Sequence, residues 1–255
     1  MRIITTFNED MYQFSGKSMI QSLKKFMPGA DVVVYDELDR DIEEVKCIKV
    51  CKIPEFERVF EENKEVIPKD FGGTAESVPG NQSWNLRWFG WFRKVVMNYH
   101  AICVDKYDGY TIFADSDTRF INSFNEEFLS RITKGRAVSF FRGDRPAIES
   151  GLVVVNGKLP EAEKFYRYFM GLFLNKEFKK LDRWDDGYVL TAAIKGCPPE
   201  WFCDFAEGQY GAIHTNSTGH TTGGQVIAVT EWNNYIEHDK GIHWKNKVVP
   251  HVKWT

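Results

Sequence analysis

The residues best able to do chemistry in this 255-residue chain are carboxylates standing in pairs. Asp115 and Asp117 flank Ser116 directly after the apolar run Tyr110-Thr-Ile-Phe-Ala114. If that run is a strand, alternation puts both carboxylates on one side, with their Cα atoms about 6.5–7 Å apart. Two like charges so close repel each other, and any anionic substrate, unless a cation lies between them. Oxygen ligands of this kind suit a hard divalent ion, Mg²⁺ or Mn²⁺, shared with substrate phosphates. Asp185-Asp186 form a second acidic pair at an expected helix N-terminus, where carboxylates also serve as ordinary caps. His243 with Lys245 and Lys247 makes a cationic, metal-competent cluster late in the sequence. A bound diphosphate needs both parts: carboxylates for a metal, and lysines for the remaining oxygens.

The elements that must position these groups follow a strand–helix–strand pattern. Arg2 to Phe7 reads as a strand, followed by a polar loop, Asn8-Glu9-Asp10. Met19, Ile20, Leu23, Phe26 and Met27 recur at helical spacing until Pro28-Gly29 stops them. Asp31 to Tyr35 is a second strand and Cys47 to Val50 a weaker third, the opening of a parallel α/β sheet. Residues 54–82 carry no sustained period and are expected to be an irregular excursion. Trp84, Trp88, Trp91, Phe92, Val95, Val96 and Tyr99 share one broad helical face, beside the polar Arg87, Arg93 and Lys94. Beyond the strand leading to Asp115, Ala137–Phe141 and Gly151–Val155 read as further strands. Two amphipathic helices follow, one through Phe165 to Leu174 and one starting near Asp185. Ligands of open α/β sheets sit outside the carboxyl ends of strands, where Asp115 and Asp117 would stand.

Composition narrows the possible functions. The 33 Lys+Arg against 36 Asp+Glu leave a net charge of −3, which argues against coating nucleic acid. Twenty Phe, ten Tyr and eight Trp exclude a disordered chain. No apolar run approaches the ~20 residues of a membrane span, and the opening residues do not read as a signal peptide. Five cysteines, an odd count, fit reduced thiols in a cytoplasmic protein rather than a disulfide framework. Cys47 and Cys51 on a strand would lie about 13 Å apart, too far for one zinc ion.

Taken with these motifs, the chain resembles the nucleotide-sugar glycosyltransferases of the GT-A fold, closest to the glycogenin and lipopolysaccharide galactosyltransferase family (family 8). The likeness runs from Arg2 to about Lys247. It rests on Thr5-Thr6-Phe7 in the first strand, and on Tyr12, Gly16, Ser18 and Ser22-Leu23 in the helix after it. Arg93-Lys94 stand ahead of the metal-binding strand, and Asp115-Ser116-Asp117 match the family's Asp-x-Asp. Glu149-Ser150-Gly151 precede a Val-rich strand where the family has Asn-Ser-Gly, and Asp185-Asp186-Gly187 stand where it has Asp-Gln. The family's terminal His-x-x-Gly-x-x-Lys-Pro-Trp is loosely echoed by His243-Trp244-Lys245-Asn246-Lys247.

The resemblance implies one GT-A domain over residues 1–255, an α/β fold with a mixed, mainly parallel central sheet. Residues 1–117 would bind the nucleotide sugar, 118–230 face the acceptor, and 231–255 close over the donor. It implies metal-dependent transfer of a hexose, with retention, from a UDP-linked donor to a carbohydrate or other hydroxyl-bearing acceptor. Asp115, Asp117 and His243 would hold Mn²⁺ or Mg²⁺. Thr5, Thr6, Phe7, Tyr12, Arg93, Lys94, Ser116, Lys245 and Lys247 would contact the donor. Asp185, Asp186 and, in reserve, Glu149 would stand at the reaction centre. Two other readings stay open on the residues: a haloacid-dehalogenase-type phosphatase, which also carries Asp-x-Asp after a strand, and a non-catalytic carbohydrate-binding module.

Overall fold

The computed structural model describes residues 1–37, 40–43, 45–63, 88–142, 147–207, 227 and 230–238. Strand β1 (Arg2–Phe7) is buried along its whole length, as expected of a strand covered on both faces. Beside it lie β2 (Asp31–Asp36) and β3 (Lys46–Lys49) on one flank and β4 (Tyr110–Ala114) on the other. The far flank is built from β6 (Val138–Phe141), β7 (Glu149–Asn156) and β8 (Phe202–Asp204). The seven strands pair in the order β3-β2-β1-β4-β7-β6-β8. All run parallel except β7, which is antiparallel to both β4 and β6. A mixed, mainly parallel sheet is therefore what the chain forms.

Alternation along the strands sorts the core into two layers. Ile4, Val33, Tyr35, Phe113, Val153 and Val155 face a layer that holds α3 (Trp88–Tyr99), α5 (Pro160–Leu174) and α6 (Asp186–Lys195). Ile3, Phe7, Val34, Ile112, Leu152 and Val154 face the layer of α1 (Lys17–Phe26) and α4 (Glu126–Ile132). Each helix buries its apolar stripe: Met19, Ile20 and Leu23 on α1, and Phe165, Phe169 and Phe173 on α5. Asn8 and Asn125 accept backbone N–H bonds at helix starts, and Asp185 does the same for α6.

The structure corrects the expected irregular run at its beginning. Pro54–Asn63 is a helix, α2, with Phe56 and Val59 buried against α3 and α5. Proline is tolerated in a first turn, and the stripe was too short to show a period. The rest of that run, with Trp84 and Arg87, lies outside the described residues. A second small sheet pairs β5 (Thr118–Phe120) with β9 (Ile236–His238) antiparallel, Thr118 opposite His238. Three-residue strands have no readable period, and neither was expected. The five cysteines are free thiols. No helix among the described residues is long and apolar enough to cross a membrane.

Candidate functional site

The site is built where β4 runs out. The Asp115 N–H donates to the Gly151 carbonyl at 2.8 Å, holding the chain against β7, and the Thr118 N–H donates to the Asp115 carbonyl at 2.9 Å, closing a turn. The chain then enters β5, whose pairing with β9 sets His238 opposite Thr118. One ligand atom each from Asp115, Asp117 and His238 lies within 4.8 Å of the others. His238 Nε2 is 3.0 Å from Asp117 Oδ1, and the ring is 0% exposed. Among the described residues neither ring nitrogen has a hydrogen-bond partner, so the two atoms approach without the alignment of an N–H bond. Buried polar atoms left so are uncommon and ask for a ligand. Two carboxylates and an imidazole at this separation could hold a divalent cation.

Lys94, from α3, ties this group to the second acidic pair. Its Nζ lies 2.7 Å from Asp115 Oδ1 and 2.8 Å from Asp186 Oδ2, over the Phe113 ring. Burial alone would lower the ammonium's pKa, but Asp115 and Asp186 outweigh it and hold the lysine above its ordinary value. Asp186 also accepts from Ser150 Oγ at 2.6 Å and from the Gly187 N–H at 3.0 Å. Asp185 caps α6 through the Tyr188 N–H at 3.2 Å and takes Arg183 Nε at 2.9 Å. Burial, then the charge of Asp186, raises the Asp185 carboxyl above the usual aspartate range. Glu149 is buried at the start of β7, its Oε1 accepting the Gly151 N–H at 3.1 Å.

The other expected donor contacts sit nearby but not all in the cluster. Ser116 is buried, with Ser15 Oγ 3.3 Å from its hydroxyl oxygen. Ser15 belongs to a π-helical turn, Tyr12–Gly16, a distortion frequent at functional sites. Thr5 is fully buried, and Thr6 Oγ1 donates to the Tyr35 carbonyl at 2.7 Å, so both belong to the sheet interior. Phe7 packs on Tyr12 with ring centroids 5.2 Å apart, and Arg40 lies 4.7 Å from the Tyr12 centroid. Arg40 pairs in turn with Asp36 and Glu9. Arg93 diverges from its neighbour Lys94: it pairs with Glu37 at the end of β2. Burial pushes its pKa down to about 10, against the charge of Asp36, and it stays cationic at neutral pH.

His243, Lys245 and Lys247 lie outside the described residues. The histidine that meets the aspartates is His238, which the sequence reading passed over. A signal was present: His-x-x-Gly, the start of the family's terminal motif, is satisfied by His238-Asp-Lys-Gly241 and not by His243.

The sheet order, the single reversed strand and the acidic pair at the end of β4 make this an α/β chain of the GT-A glycosyltransferase fold. Among solved structures it is similar to the galactosyltransferase LgtC in complex with donor and acceptor sugar analogues. That match has a TM-score of 0.50 and 12% identity over 95% of this chain and 88% of that one. Mouse xyloside xylosyltransferase 1 matches at TM-score 0.47 and 13% identity, over 87% of this chain and 99% of that one. The glycosyltransferase GlyE of Streptococcus pneumoniae TIGR4 matches at 0.45 and 14%, over 82% of this chain and 46% of GlyE. No protein-family model and no curated protein matches the sequence.

Proposed function

We propose that the chain is a metal-dependent glycosyltransferase that moves a hexose from a UDP-linked donor to a hydroxyl-bearing acceptor, with retention at the sugar carbon. One observation carries this reading: Asp115, Asp117 and His238, whose ring is buried, converge at the carboxyl end of a central strand of a GT-A sheet. Those three residues would hold Mn²⁺ or Mg²⁺, which would supply positive charge to the leaving diphosphate. Lys245 and Lys247 are proposed to meet the remaining phosphate oxygens. Tyr12, Phe7, Ser116 and Arg93, around the ends of β1 and β2, would bound the nucleoside. In this reading residues 1–117 carry the nucleotide, 118–230 the acceptor side, and 231–255 the closing tail.

The chain's own carboxylates divide the rest of the work. Asp185, fixed by its cap and by Arg183, would accept from sugar hydroxyls. Asp186 and Glu149 offer negative charge to the oxocarbenium-like sugar carbon as its bond to the diphosphate oxygen breaks and the acceptor oxygen bonds, the acceptor's proton passing to the leaving diphosphate. Lys94 holds Asp186 in place throughout, since its ammonium sits against both that carboxylate and Asp115. The test is a calorimetric screen of UDP, GDP and CMP with and without Mn²⁺, paired with slow hydrolysis of the matching sugar donors. Metal-dependent binding of one diphosphate is expected. Hydrolysis of simple phosphate esters without nucleotide binding would instead make the chain a phosphatase. Sugar binding indifferent to metal would make it a carbohydrate-binding module.

A further inference from the structure

Gly151 is joined by its backbone groups to Asp115 of the candidate metal centre and to Glu149 beside it. Its carbonyl accepts from the Asp115 N–H at 2.8 Å, and its own N–H donates to Glu149 Oε1 at 3.1 Å. Where a side chain would begin there is almost no room. A Cβ on Gly151 would lie 3.0 Å from Asp115 Oδ2, 3.0 Å from Glu149 Oε1 and 3.0 Å from His238 Cε1. Two of these three atoms belong to the metal-ligating trio. Asp115 Oδ2 is the oxygen turned away from Lys94, which holds Oδ1, and Cε1 lies between the two ring nitrogens of His238.

We infer that Gly151 sets the size of the cation this site accepts, its bare backbone letting Asp115 and His238 close to the distances of a small divalent ion. The inference rests on the metal-centre reading above and adds the choice among cations to it. The argument is one of tolerances. Contacts of 3.0 Å to a Cβ force the neighbours aside by a few tenths of an ångström. A metal site holds its ligand distances to within about 0.2 Å, so that displacement is as large as the whole allowance. Mg²⁺ demands oxygen ligands at about 2.0–2.1 Å in near-ideal geometry, whereas Ca²⁺ accepts about 2.3–2.6 Å in flexible shells. Spreading Asp115 and His238 therefore penalises the small ion first. Gly151 makes no contact with substrate in this account; it is a positioning and selecting residue.

Mn²⁺ binding to the full chain, followed by the loss of its free-ion paramagnetic resonance signal, tests this, with Mg²⁺ and Ca²⁺ as competitors. Gly151→Ala should weaken Mn²⁺ and Mg²⁺ by about 10–100-fold, the range seen when the surroundings of a metal ligand are altered. Ca²⁺ should lose less, so the Mg²⁺/Ca²⁺ preference falls. Gly109→Ala, whose Cβ would press only on the Tyr107 ring, is the control for crowding and should leave all three affinities unchanged. Should Gly151→Ala not fold, the same comparison is made in a Glu149→Ala background, which removes one of the three contacts. Equal cation affinities and an unchanged Mg²⁺/Ca²⁺ ratio in Gly151→Ala, with wild type binding Mn²⁺, overturn the role of Gly151 alone. A wild type that takes up none of the three ions overturns the metal centre and this role together.

Discussion

Asp115 with Asp117 and Asp185 with Asp186 are both pairs of aspartates, separated by one residue in the first and adjacent in the second, and the fold treats them differently. The second pair starts helix α6, and its donors come from the fold itself: the Tyr188 and Gly187 N–H groups, Ser150, Arg183 and Lys94. The first pair ends a strand, and what faces Asp117 is an imidazole with neither nitrogen hydrogen-bonded. A helix N-terminus brings partial positive charge with it, and a strand end does not. Carboxylates at the one are stabilised by the backbone, while at the other the stabilising charge has to come from side chains such as Lys94 or from a bound cation. Lys94 is the exception that joins them, since it serves one oxygen of each pair.

The largest effect should separate the pairs outright. Asp117→Asn or His238→Ala should weaken Mn²⁺ binding by at least about 100-fold with little change in Tm, because ligands cost more than their surroundings. Asp185→Asn should leave the affinity for bare Mn²⁺ within about threefold. A strong Mn²⁺ loss in Asp185→Asn would mean the pairs act as one unit. Lys94→Met comes next: it leaves Asp115 and Asp186 facing each other without their shared cation, and should lower stability in urea by about 3 kcal/mol. Saturating Mn²⁺ should restore part of that, by binding only the folded chain.

A smaller difference should appear on pH titration. The raised Asp185 carboxyl keeps its proton longer in the folded chain than in the unfolded one. Its stabilising contribution is therefore complete below the ordinary aspartate range and is lost as pH rises through the elevated folded value. Asp185→Asn keeps an acceptor for the cap and lacks that loss. The stability difference should move in the variant's favour across that window and then level off, as read from Tm against pH. Smallest of all, Arg119→Ala removes an exposed pair with Glu237 beside β9, worth less than about 1 kcal/mol. Mn²⁺ affinity should shift by less than threefold; a larger shift would make that pair part of the site.

What was legible in the sequence follows from range. The strand ahead of Asp115 and the cap at Asp185 are written in a few neighbouring residues, apolar alternation in the one case and an acidic helix start in the other. Both stand as expected. Lys94 was singled out by its place on α3, but its two carboxylate partners come from β4 and α6 and only packing brings them together. His238 sits on a strand of three residues whose partner is equally short, so no period announces it. The helix Pro54–Asn63 was hidden for a similar reason, since two buried apolar side chains are too few to define a stripe.

The small sheet of β5 and β9 also fixes an order of assembly. Arg119 and Glu237, paired across it, are 118 residues apart in the chain. Contacts of such separation close late, after local elements and the neighbouring strands have formed. On a ribosome, Asp115 and Asp117 emerge well before His238, so in the proposed metal centre the third ligand arrives late, on β9. A nascent chain would meet divalent ions only weakly until that strand docks. A cation bound as proposed would then hold β9 in place and couple its own binding to that late folding step.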